Sequence, residues 1–179
     1  MAPTVSAASD LDQLLSDLAA SREASLAFTE TRHSDLLDEP IEVSGTLHHG
    51  GDGRLVRNTT SPRETTQTLT ENHVEIRRPD GYRQRFSLDR APELRVLRQA
   101  LLALLDGDRT ALESHFELAF EASDAAENAG WTLRLIPVGE AQAEEVVDLE
   151  LRGEDARLVS LAVHLSDGEA LSMRFEQVP

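Results

Sequence analysis

Six histidines, together with the serines, threonines and carboxylates, are the groups in this sequence that could do chemistry. His48 and His49 are adjacent, so within a strand they point to opposite faces and cannot share one metal ion. His33, His73, His115 and His164 are scattered, with neither HxxxH nor HExxH spacing, and read as surface or rim residues. No metal site is expected. A serine hydrolase would carry a GxSxG elbow at a strand-to-helix turn. The serines in "EVSGT" and "LVSLA" sit inside strand patterns instead. The carboxylate pairs Asp38-Glu39 and Glu144-Glu145 fall in polar turns, where they are solvated. No glycine-rich loop precedes a helix, and "GGDG" joins two strands as a hairpin turn. The cysteine count of zero excludes disulfides, thiol nucleophiles and thiolate metal sites. These patterns imply a protein with no catalytic residues and no cofactor.

Charge narrows the partners. The net charge is -16, from 33 acidic and 17 basic residues, and every basic residue is arginine. Such a surface repels phosphate backbones, so nucleic acid is excluded as a partner. It also lacks the polybasic patch that anionic lipid headgroups attract. No run approaches the roughly 18 apolar residues of a membrane span. The opening "MAPTVSAASD" has neither the basic start nor the apolar stretch of a signal peptide, and a leader removed earlier would leave the same start.

The elements follow from hydrophobic period. Leu11, Leu14, Leu15 and Leu18 predict a helix over 9–22 with Ser9 or Asp10 as N-cap. From residue 24 to 90 the period is two. Leu26 and Phe28 share one face and Thr29 and Thr31 the other; Ile41, Val43, Gly45 and Leu47 follow, then Tyr82, Gln84, Phe86 and Leu88. A second helix over 92–106 sets Leu94, Leu97, Leu101 and Leu104 on one stripe, begins at Pro92 and stops at Gly107; "RTALESHF" adds a turn. Strands resume over 116–178. Their predicted inner faces are Phe116, Leu118 and Phe120; Trp131, Leu133 and Leu135; Val147, Leu149 and Leu151; Val159, Leu161, Val163 and Leu165; and Leu171, Met173 and Phe175. Short connections make neighbours antiparallel. The expectation is one domain over 1–179, mainly β with helices (α+β): about eleven antiparallel strands. A sheet of that size curls, giving an incomplete barrel whose hollow the two helices close.

The one feature that stands out is therefore apolar. The plain alternative is an ordinary core. The sharper reading is a hydrophobic cavity for an acyl chain, where each buried methylene contributes about 0.8 kcal/mol and movable lid helices allow release. The residues expected to line it are Phe28, Val43, Leu47, Ile76, Phe86, Leu97, Leu101, Phe120, Trp131, Leu133, Leu149, Leu161, Met173 and Phe175.

Five stretches carry a family resemblance: "FTETR", "VSGTL", "DGRLVR", "LDRAPELRVLRQALLALLDGD" and "WTLRLIP". In this order, after an N-terminal helix, the chain resembles the periplasmic lipoprotein carriers of the LolA type over nearly its whole length. The resemblance implies an incomplete barrel closed by helices that holds the acyl chains of a lipoprotein in the periplasm, as a monomer. It further implies an inner-membrane transporter that releases the cargo and an outer-membrane acceptor that takes it. The sequence departs from the pattern in three places. Gly51-Asp52 stand where carriers have an arginine that serves cargo handover, with Arg54 and Arg57 the nearest substitutes. Aromatics make up only 4% of the chain, and the leucine-rich face is closer to the pathway's acceptor, yet the lipidated cysteine of an acceptor is missing. The cargo could equally be a glycolipid. Two rivals remain: an interaction protein with a filled barrel, and a lipid hydrolase using His48 or His73 with a strand serine or threonine.

Overall fold

In the computed structural model, residues 4–21, 25–33, 39–123 and 130–177 are described. The chain opens with helix α1 (Thr4–Ser21) and then makes a six-stranded meander. Its strands are β1 (Ser25–His33), β2 (Ile41–His49), β3 (Leu55–Ser61), β4 (Thr65–Leu69), β5 (His73–Arg77) and β6 (Arg83–Ser87). A 3₁₀ turn (Leu88–Arg90) leads into α2 (Pro92–Asp106) and α3 (Arg109–His115). The second meander comprises β7 (Phe116–Ser123), β8 (Gly130–Pro137), β9 (Val146–Glu154), β10 (Arg157–Leu165) and β11 (Ala170–Gln177), with α4 (Glu140–Glu145) between β8 and β9.

All eleven strands form one antiparallel sheet in the order β6-β5-β4-β3-β2-β1-β11-β10-β9-β8-β7. Within each meander every strand pairs with its neighbour in sequence. The halves are joined by the first strand pairing the last, with Phe28 opposite Phe175 and Glu30 opposite Met173. The sheet does not close: β6 and β7 are its free edges. The chain crosses from one edge to the other through α2 and α3.

Helix α2 covers the inner face with Val96, Leu97, Ala100, Leu101 and Leu104, all buried, at the spacing that makes one stripe. Gly107 ends it in the left-handed conformation (φ 67°), its N–H returned to the carbonyls of Ala103 and Leu104. A Cβ there would fall 2.6 Å from the Leu15 carbonyl oxygen, so the glycine also lets α2 approach the backbone of α1. Asp108 caps α3 by accepting from the Ala111 N–H at 2.9 Å.

Several local expectations are corrected. Helix α1 begins at Thr4, so Ser9 and Asp10 lie inside it rather than cap it; the preceding "TVSAAS" contains no helix breaker. Residues 22, 24 and 178 of the expected elements, and Asp38, lie outside the described residues. The segment around Glu144-Glu145 is helical, not a turn; α4 buries no residue, so no apolar period marks it. On β9, Val147 is 48% exposed and Val146 takes the inner position at 0%, because the register shifts where His164 pairs Asp148 and Leu165 pairs Val146. On β10 the bulge between Leu158 and Ser160 puts Leu158 inside at 5% exposure in place of Val159. A bulge inserts one residue, and one residue reverses every face beyond it. Tyr82 precedes β6 and is exposed, and Leu88 is buried from the 3₁₀ turn rather than from a strand.

Candidate functional site

The concave side of the sheet brings the expected lining residues together. The registers set Phe120, Leu133, Leu151, Leu161, Met173, Glu30 and Val43 in one row across seven strands. Beside it Phe28 faces Phe175, and Leu149 lies between Leu135 and Val163. Trp131 covers Gly153, whose Cβ would fall 2.1 Å from the indole; its Nε1–H donates to the Asp155 carbonyl at 2.9 Å. Leu47, Ile76 and Phe86 lie on the other half of the sheet, and Leu97 and Leu101 descend from α2. All fourteen belong to one apolar cluster; Val43, Ile76, Phe86 and Phe120 are its partly exposed members.

Helix α2 lies over this face, with Leu97 and Leu101 buried. Between α2 and the strands β1 to β3, a gap of about 10 Å³ remains among Leu26, Leu47, His49, Leu55, Leu101 and Leu105, room for about one water molecule. Larger openings lie at the rim. Leu26, Leu158 and Phe175 line a groove of about 300 Å³. Trp131, Gly153 and Arg152 line another of about 590 Å³. The two share Glu154 and Val159. Both are of ligand-pocket size, which runs from about 300 to 1,000 Å³.

Two charged residues interrupt the apolar face. Glu30 is 0% exposed and Arg57 3%. Arg57 Nη2 donates to Glu30 Oε2 at 2.6 Å, and its guanidinium lies 4.8 Å from the Phe28 ring centroid. Arg32, half-exposed, donates to the other carboxylate oxygen. Burial lowers the Arg57 pKa; Glu30 opposes this and Arg32 adds to it. Gly45 makes the crossing possible. A side chain there would start 1.9 Å from the Asn58 carbonyl oxygen, so none stands between Arg57 and Phe28. Sequence reasoning named Arg57 only as a substitute for a missing arginine and passed over Glu30. The signal was present: Glu30 follows Leu26 and Phe28 at the same period of two, and Arg57 follows Leu55. Arg54 points elsewhere, pairing with Asp52 at 2.7 Å on the exposed turn.

Polar contacts tie α2 to the β2–β3 hairpin. Arg98 Nη2 donates to the Gly53 carbonyl at 2.5 Å, and His49 brings Nε2 to 3.0 Å from the Asp106 carboxylate without hydrogen-bond geometry. Among the described residues, hydroxyl–imidazole pairs join Ser25 with His48 and Thr70 with His73, each at 2.9 Å. Thr70 is committed to the β4–β5 turn through the His73 backbone, and Arg85 Nη2 lies 3.2 Å from the same imidazole nitrogen. Ser25 and His48 are a cross-strand pair on the face opposite Leu26 and Leu47. Among the described residues neither histidine has the carboxylate partner that orients a catalytic base, and no cluster of His, Asp and Glu has metal-ligand geometry. On the outer face, buried Asp148 accepts from Arg134 Nε at 2.7 Å and contacts His164 Nδ1 at 2.5 Å. No helix among the described residues is long and apolar enough to cross a membrane.

Known proteins of similar structure share little sequence with this chain. A LolA-superfamily protein from Nitrosomonas europaea aligns at 9% identity and TM-score 0.45, covering 93% of this chain and 91% of that one. LprF from Mycobacterium bovis aligns at 13% identity and TM-score 0.43, covering 96% and 94%. The Pseudomonas aeruginosa MucA/MucB complex aligns at 15% identity and TM-score 0.43, covering 94% of this chain and 56% of that one. No curated protein sequence matches. The family model for outer membrane lipoprotein carrier protein LolA-like sequences matches residues 3–173. By that match over nearly its whole length, the chain belongs to the LolA-like family that this model describes.

Proposed function

We propose that this protein is a periplasmic carrier that binds the acyl chains of a lipoprotein or glycolipid on its concave face and moves them toward the outer membrane. In this reading it catalyses no reaction, receives cargo from an inner-membrane transporter and yields it to an outer-membrane acceptor. The observation that carries the reading is the apolar row from Phe120 to Met173 beneath α2, on a sheet whose edges never meet. Family membership supports it.

In this reading the face covered by the helices is the closed state of such a carrier. Uncovering the buried Leu11, Leu14, Leu15 and Leu18 of α1 costs about 6–12 kcal/mol at about 1.5–3 kcal/mol per leucine. An acyl chain of about 14 methylenes returns about 11 kcal/mol. Unpacking α1 and burying an acyl chain are therefore of similar magnitude, the condition for uptake and release. The groove at Leu26, Leu158 and Phe175 offers the way in.

Native mass spectrometry tests this on protein secreted to the periplasm and purified without detergent. Bound acylated species, or uptake of added acylated peptide, are expected. A clean unliganded mass with no uptake overturns the reading. The 10 Å³ gap would then favour a second one, an interaction protein whose barrel is permanently filled by its own helices.

A further inference from the structure

Among the described residues, the buried side-chain atoms without a hydrogen-bond partner include Arg57 Nε and Gln67 Oε1, both on the concave face. Their residues stand directly opposite each other on β3 and β4, and Ile76 follows Gln67 on β5. Arg57 cannot turn to satisfy Gln67, because its guanidinium is held by Glu30 at 2.6 Å and stacked on Phe28, both on the opposite side of β3. Each unpaired atom carries a desolvation penalty that a fold would shed by substituting leucine. A donor and an acceptor are thus left unpaired on two residues that stand opposite each other on β3 and β4.

We propose that Arg57 and Gln67 form a head-group subsite selecting acyl ligands whose polar end is neutral and both accepts and donates a hydrogen bond, an amide or a hydroxyl, over a carboxylate or phosphate. This rests on the acyl-binding reading above. An amide carbonyl accepts the Arg57 Nε–H while its N–H donates to Gln67 Oε1; a hydroxyl does both with one oxygen. An anion fits worse. Arg57 and Arg32 already share the Glu30 carboxylate, and a carboxylate brings only acceptor oxygens, so it would leave Gln67 Oε1 facing another acceptor. Phe28 and Met173 on one side and Ile76 on the other give the chain its apolar bed.

The test uses the full, delipidated chain and displacement of a fluorescent fatty-acyl probe by four ligands of equal length: dodecanamide, dodecanol, dodecanoate and methyl dodecanoate. The amide and the alcohol are expected to bind about tenfold more tightly than the carboxylate and the ester. In Gln67→Leu or Gln67→Met the ratio of amide to ester affinity falls to near one. Because the readout is a ratio within one variant, a general loss of stability does not mimic it. Tightest binding by dodecanoate, or an amide preference that survives the Gln67 variants, overturns the subsite. Equal binding of all four overturns the subsite alone. Binding of none overturns the acyl-binding reading, and the subsite with it.

Discussion

Glu30 and Arg57 stand on strands that do not touch, yet their side chains meet at 2.6 Å over β2, where Gly45 contributes no side chain. Neither reaches water. Breaking a buried pair strands a charge, which costs about 3–5 kcal/mol, whereas replacing both partners with apolar residues is near neutral or stabilising. Glu30→Met is therefore expected to lower unfolding free energy by about 3–5 kcal/mol, and Glu30→Met with Arg57→Met to recover most of it. Urea denaturation measures both. A single-variant loss below about 1 kcal/mol would mean that water reaches the pair.

Gly107 holds α2 against α1. Alanine there needs the left-handed conformation (φ 67°) and places its Cβ 2.6 Å from the Leu15 oxygen and 3.0 Å from the Ala19 Cβ. Gly107→Ala should cost about 1–3 kcal/mol. If separation of the helices limits ligand uptake, stopped-flow mixing with a fluorescent fatty acid will show faster uptake in this variant. A slower or unchanged rate in a destabilised protein would place the limiting step elsewhere.

Trp131 is the only tryptophan, so its contact with Gly153 can be followed by emission. A Cβ at position 153 would lie 2.1 Å from the indole Cζ2 and 2.3 Å from the Arg157 carbonyl oxygen, and backbone cannot yield. Gly153→Ala should destabilise by about 1–3 kcal/mol and shift the emission maximum as the ring is pushed from its bed. An unmoved spectrum with native stability would contradict the close packing.

Asp148 provides a pH test. Burial raises its pKa, but the hydrogen bonds from His164 and Arg134 outweigh that and leave it below the usual carboxylate value. A depressed folded pKa means that the unfolded chain binds the proton more readily. The stabilisation is then complete above about pH 4 and fades as pH falls further through the folded value. Asp148→Asn should lose about 1 kcal/mol near neutral pH, with the gap to the unmodified chain narrowing below about pH 4. Urea midpoints across that range measure it; a pH-independent gap would show that the carboxylate charge contributes nothing.

Much of the concave face was legible because a strand turns every second residue to the same side. Leu133 and Leu135, Leu161 and Val163, and Met173 and Phe175 needed no more than that period. It misled at Val147 and Val159, where bulges reverse the faces, and α4 left no apolar trace. For the site, the apolar residues announced themselves, whereas Glu30 and Arg57 stand at inner positions where a period of two gives no reason to expect charge. Which charge a fold tolerates inside depends on a partner, and here the partner is 27 residues away.

By itself the sequence determined the strands, the α2 stripe, the antiparallel neighbours within each meander and the absence of cysteine chemistry. These depend on local period, turn residues and composition, all properties of short stretches. Only the tertiary structure decided the β1–β11 pairing that joins the halves, the packing of α2 over the sheet, the crossing of α1 on Gly107 and the meeting of Arg57 with Glu30. Each joins residues far apart in the chain, and such contacts follow from how layers close on one another rather than from any segment's own preference.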